Sequence, residues 1–199
     1  MTTANASRAL WNDVTPAHEE EYNDWHAYEH VPERLTMPGF VWARRWRAAG
    51  DVGPGPRYLT LYGLASPGAL DTPQYQRLLA GPTPWSQRMR PHLLHLSRWA
   101  CMVEAGSDAA AGSSMQAVCL QAAPALMGEA HLRARRRHDA APLPWLAGTQ
   151  AQDIPGDWLV CGDTITPLPD ELYRRDFLRL PVGRDNDLGA SRWPAVAAR

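Results

Sequence analysis

Apolar and polar positions along this chain fall into short runs whose periodicity predicts the elements. Residues 8–14 read as a strand. Thr15-Pro16 follows, a cap and a first-turn proline for a helix. The triplet Glu19, Glu20 and Glu21 sits at the end of that helix where the dipole favours acids. Pro38-Gly39 stops the helix by Thr36 or Met37, and Pro32 removes one internal hydrogen bond, which predicts a kink or early end near Val31. Residues 40–48 alternate aromatic and arginine side chains as a strand does, 50–56 form a Gly/Pro loop, and 58–64 read as a second strong strand. Residues 70–80 look helical, 81–85 are a loop, and 92–103 make a fourth strand. The order βαββαβ is the ferredoxin-like pattern.

Beyond a small-residue stretch at 105–114 the pattern restarts, with a strand at 115–123, a helix at 124–139, a strand at 157–164 and a short last strand at 177–182. Aligning Pro16 with Pro124 places Leu10 over Val118 and His30 over His138, a degenerate internal duplication. The expected fold class is therefore α+β, a ferredoxin-like βαββαβ unit repeated in tandem. Residues 1–105 form the first domain, 106–114 a flexible linker, and 115–199 a degenerate second domain with a C-terminal arm. A four-stranded sheet covered on one face must bury the other. The two copies are expected to do this against each other, as an intrachain pseudo-dimer forming an α/β barrel, with further homodimerisation left open.

The first predicted helix concentrates the chemistry. On a wheel of roughly 100° per residue, Tyr22, Trp25, His26, Glu29, His30 and Glu33 fall within an arc of about 140°. Histidine titrates near working pH and is the natural proton carrier. His30 is the candidate general acid/base, His26 a second carrier, and Glu29 the residue that orients them. The competing reading is a structural network in which Glu29 or Glu33 pairs with Arg34, Arg44 or Arg45. His26-x-x-Glu29-His30 also spells the inverted zinc-protease pattern, but Pro32 breaks the long helix such a site needs and no third ligand stands out. A metal site on the two histidines is a further alternative.

Trp25-His26-x-x-Glu29-His30-x-Pro32-Glu33-Arg34-Leu35, Pro38-Gly39-Phe40, Arg44-Arg45, Tyr58-Leu59-Thr60-Leu61-Tyr62 and Pro82-Thr83-Pro84-Trp85 resemble the EthD-like branch of the dimeric α/β-barrel superfamily, over about residues 5–105. The resemblance implies a small-molecule pocket between sheet and helices. It also implies a range of activities, from cofactor-free monooxygenases, isomerases and cyclases to haem-binding members, and fold alone does not choose among them. Trp25, Glu33, Arg44, Tyr62 and His95 are the expected substrate-binding residues.

Composition removes several classes. Every one of the 20 basic residues is arginine, so no lysine can form a Schiff base or serve a phosphate loop. A net charge of −1 argues against a nucleic-acid footprint. No apolar run is long enough to span a membrane, and no secretory leader is visible. Cys101, Cys119 and Cys161 lie in apolar runs and read as reduced thiols of a cytoplasmic protein. The expectation is a small-molecule enzyme without cofactor or metal, of lyase, isomerase, cyclase or monooxygenase type, acting on an aromatic or polyketide-like carbonyl compound. A non-catalytic binding barrel and a haem- or metal-binding member are the alternatives.

Overall fold

β1 (Ala6–Val14) divides its side chains between two cores. Ala9 and Trp11 join one, while Ala6, Leu10 and Val14 join another. This is the period-two alternation of a strand buried on both faces. β2 (Phe40–Ala48), β3 (Tyr58–Leu64) and β4 (Leu93–Ala105) divide in the same way. Trp46, Leu59, Leu61, Trp99 and Cys101 turn one way, and Ala43, Tyr58, Tyr62, Leu96 and Ala100 the other. The structure is a computed structural model that describes residues 4–50, 55–106, 112–124, 130–140, 143, 145–146 and 151–182.

Four further strands, β5 (Ser114–Leu120), β6 (Ala130–Arg137), β7 (Trp158–Gly162) and β8 (Glu171–Leu180), complete a closed barrel in the order β1-β3-β2-β8-β5-β7-β6-β4. All neighbours are antiparallel. In each half the first strand lies between the third and the fourth, and the second lies beyond the third. Two seams join the halves: β2 meets β8 with Arg45 opposite Leu180, and β4 meets β6 with Ala100 opposite Arg137. Closure leaves no free sheet edge. Eight strands enclose a lumen that side chains can fill, and Trp11, Trp46, Trp99, Leu159 and Phe177 fill it here. Trp11 and Trp99 meet edge-on at 5.3 Å between ring centroids.

The expected α+β architecture is corrected by this arrangement. The molecule is a closed, mostly-strand antiparallel barrel, not a pseudo-dimer of ferredoxin-like α/β units, and the ferredoxin-like and dimeric α/β-barrel descriptions fall with that expectation. Among the described residues its helices are short and lie only in the β1–β2 and β3–β4 connections. They are α1 (Glu19–Trp25) and α2 (Val31–Leu35), joined through a π-helical turn at His26–His30, then α3 (Pro73–Ala80) and α4 (Pro84–Met89). The helix expected over 124–139 is largely β6. There Leu132 and Ala134 are buried in the lumen while Arg135 is exposed, a period of two that a helix cannot use. The proposed equivalence of His138 with His30 fails with it: His138 lies in an exposed turn, its Nε2 2.8 Å from Asp157 Oδ1. β8 begins well before the expected residue 177, and the expected arm over 183–199 lies outside the described residues, as does most of the 106–114 linker.

Candidate functional site

The helical run over 19–35 owes its shape to Pro32. Proline supplies no N–H and its ring crowds the carbonyl four residues back, here Tyr28. The chain responds by widening: the Val31 N–H reaches the His26 carbonyl, a bond one residue longer than the α-helical one. This wide turn sets which side chains face the barrel. Tyr22, His26, His30 and Arg34 are all buried and follow one another at intervals of four. On a continuous α-helix that spacing overshoots a full turn by about 40° per step, and the π turn absorbs part of the drift. His26 and His30 therefore meet with their rings tilted by 31° and 4.7 Å between centroids, and the Trp25 ring centroid lies 4.4 Å from that of His30.

Beneath this row lies a narrow pocket of about 450 Å³, its open mouth included. β1 contributes Arg8, Leu10 and Asn12 to its wall, and the helical run contributes Trp25, His26, His30 and Arg34. Leu79, Leu93 and Leu96 supply an apolar side, and Trp145 also lines the pocket, with the Arg90 guanidinium 4.8 Å over its ring. Ala151 bridges Leu96, and the Ile154 N–H donates to Ser97 Oγ at 3.1 Å. The pocket thus lies outside the barrel, between its wall and the helices, while the lumen is packed solid.

The predicted site residues divide. Trp25, His26 and His30 line the pocket. Glu29 turns instead to α4, where its carboxylate accepts hydrogen bonds from Thr83 Oγ1 at 2.5 Å and Ser86 Oγ at 3.4 Å. Ser86 Oγ in turn accepts from Trp25 Nε1 at 3.1 Å. Glu29 therefore ties two helices together and orients neither histidine. Glu33 pairs with Arg34. Arg44 packs 5.4 Å over the Trp42 ring, away from the pocket lining. Tyr62 is fully buried behind the pocket with Arg8 5.6 Å over its ring. His95 is exposed, adopts a φ of 49°, and sits 3.0 Å from Asp13 at a bulge of the β1–β4 ladder. The sequence reading missed Arg8, Asn12, Ser86, Arg90 and Trp145. Only Arg8 left a signal, a charged residue at a wall-facing position of a strand otherwise buried on both faces.

The electrostatics of the pocket are one-sided. Arg8, Arg34 and Arg90 line it, and among the described residues no aspartate or glutamate does. His30 Nδ1 and Nε2 are both buried without a hydrogen-bond partner among the described residues, as is His26 Nδ1. Burial pushes both histidines well below the ordinary imidazole range, and nearby guanidiniums push the same way: Arg45, Arg34 and Arg8 for His26, and Arg34 foremost for His30. Burial raises Tyr62 to about 12. Among the described residues no three His, Cys, Asp or Glu side chains gather as metal ligands, so the H-x-x-E-H spelling does not assemble a zinc centre there. Among those residues no helix is long and apolar enough to cross a membrane.

Comparison with protein-family models gives no match, and neither does comparison with curated proteins. The chemistry of the pocket is therefore the basis for a functional reading.

Proposed function

We propose that this chain is a small-molecule enzyme of the proton-transfer type, a lyase, isomerase or cyclase acting on an aromatic or polyketide-like carbonyl compound, with His30 as the base. The observation that carries the reading is the His30 ring. Both its nitrogens are buried, unpartnered among the described residues and at the wall of a pocket. A structural histidine at such depth ordinarily satisfies its ring with hydrogen bonds. Held neutral by burial, the imidazole offers a lone pair to a C–H acidified by an adjacent carbonyl. The proton moves to the ring nitrogen, the C–H electron pair passes into the carbonyl as an enolate, and the imidazolium returns the proton to a second position. His26, beside His30, is placed to accept or relay that proton. Trp25 and the leucine side give a planar apolar substrate a surface to lie on.

The test does not require the natural substrate. The protein is incubated in D₂O with a panel of aryl ketones and β-dicarbonyl compounds, and loss of C–H signal is followed by NMR. Wild type accelerates exchange of at least one panel member, and His30→Gln does not, with little change in thermal midpoint because the ring makes no hydrogen bond to lose. Equal exchange in both proteins refutes the role of His30. Absence of exchange with every panel member, together with a large drop in midpoint for His30→Gln, assigns the histidine a structural role.

A further inference from the structure

We propose that the ligand of this pocket is an organic acid whose carboxylate seats between Arg8 and Arg34. The inference rests on the pocket being a small-molecule site and adds the class of molecule that it takes.

Arg8 is 3% exposed and Arg34 4%. Burying a guanidinium is costly unless an anion and a full set of acceptors compensate it. Among the described residues Arg8 has no carboxylate partner: the Tyr75 hydroxyl accepts from Nη1, and Nε has none. The rings of Tyr62 and Tyr75, 5.6 and 5.8 Å from its Cζ, give further but weaker support. Arg34 has the Glu33 carboxylate on Nη1, but its Nε is also buried and unpartnered. Both residues line the pocket, and among the described residues no acidic side chain lines it with them. The planar fork of a guanidinium matches a carboxylate, and two such forks on one cavity with unfilled donors form a receptor for that group.

The remainder of the wall describes the rest of the molecule. Leu10, Leu79, Leu93 and Leu96 form an apolar side, and Trp145 adds an aromatic surface. These surfaces suit a compact hydrocarbon or aromatic body. The ligand is therefore a small apolar carboxylic acid, not a phosphate ester, whose larger head and additional charge would ask for more donors than this narrow site presents. With the carboxylate on the arginines, His30 stands beside the neighbouring carbons of the same molecule.

Benzoate, its neutral isostere benzamide, and inorganic phosphate are titrated into the full-length protein by calorimetry. Benzoate is expected to bind at least tenfold more tightly than benzamide and more tightly than phosphate. Arg8→Met and Arg34→Gln each remove that preference. Two variants are used so that a folding defect in one does not decide the matter. His30→Gln keeps the preference, so equal proton exchange in wild type and His30→Gln beside a retained preference sinks the catalytic reading and not this one. Equal binding of acid and amide, no binding of either, tighter binding of phosphate, or a preference surviving in both arginine variants overturns the proposal.

Discussion

The two buried histidines make the stability of this protein depend on pH in a calculable way. In the unfolded chain both imidazoles titrate near their ordinary value, 6.5. In the folded chain burial and then the guanidiniums of Arg34, Arg45 and Arg8 hold both well below it. As pH falls through 6.5 the unfolded state takes up protons that the native state refuses, so stability falls with falling pH. The sign is that of a depressed pKa: the contribution is intact above 6.5 and is lost progressively from there toward the folded-state values. One proton of mismatch gives a slope of about 1.4 kcal/mol per pH unit. At pH 5.5 each histidine then costs about 1.4 kcal/mol relative to its fully neutral limit, and the pair about 2.8 kcal/mol.

That loss is a large part of an ordinary folding free energy of about 5–15 kcal/mol, and urea unfolding at pH 7.5, 6.5 and 5.5 reads it directly. A His26→Gln/His30→Gln double variant has its own baseline, but its stability between those pH values should lose most of the slope. The other histidines serve as internal controls, since His95 and His138 are exposed and remain in both proteins. A wild type equally stable at pH 7.5 and 5.5 refutes the reasoning. So does a double variant that keeps the whole slope, because the acid sensitivity then comes from other groups.

Three more outcomes follow from the packing. Trp46→Ala removes a fully buried indole from the lumen and should cost about 3–5 kcal/mol by chemical denaturation; a loss under 1 kcal/mol would mean that the lumen is not close-packed. Gly39→Ala should destabilise, because the residue has a φ of +84° and an added Cβ would meet Ala69 Cβ at 2.7 Å; an unchanged thermal midpoint would refute that contact. Cys101, Cys119 and Cys161 are buried with thiols pushed upward, Cys101 to about 12, so a chromogenic disulfide reagent should react with them only on unfolding, and stoichiometric labelling of the native protein at neutral pH would contradict their placement.

What could be read from the sequence followed from how local each cause is. The predicted spans 40–48 and 58–64 are the observed β2 and β3, because alternation is written in the side chains of those residues alone. The disturbance at Pro32 was equally local, but its consequence was not. A wheel with constant rotation grouped Glu29 and Glu33 with the histidines, whereas the π turn rephases the helix and puts Arg34 on the buried row. Glu29 was misassigned for a second reason: its partners Thr83 and Ser86 belong to α4, a helix read as loop, where Thr83 Oγ1 caps the Ser86 N–H at 3.0 Å. The helix expected over 124–139 agreed with the duplication alignment, whereas the alternation of Leu132 and Ala134 is that of the strand β6. Trp145 could not have been placed at all, since only the closed barrel returns its segment to the first half.

The arginines supply an argument internal to the structure for separating scaffold from site. Arg45 is as deeply buried as Arg8, at 1% exposure against 3%, yet it is well supplied with acceptors. Its guanidinium donates to the Asn23 carbonyl at 3.3 Å, Asn23 Oδ1 at 3.0 Å and the Pro181 carbonyl at 3.4 Å. Asn23 is itself fixed by Glu19 and Tyr58, with Asn23 Nδ2 donating to the Glu19 carbonyl at 2.9 Å and to the Tyr58 hydroxyl at 3.1 Å. That network joins α1 to β2, β3 and the end of β8, as a structural charge does. The fold can therefore satisfy a guanidinium at this depth when stability requires it. Arg8 and Arg34, which line the pocket with the histidines, each keep a buried Nε without a partner among the described residues. Buried Nε atoms without a partner also occur at Arg47 and Arg133, outside the pocket lining, so incomplete satisfaction alone does not mark a site. What sets Arg8 and Arg34 apart is that both stand with Arg90 on the wall of one pocket that no acid among the described residues lines, and a pocket with that imbalance suits an anionic ligand.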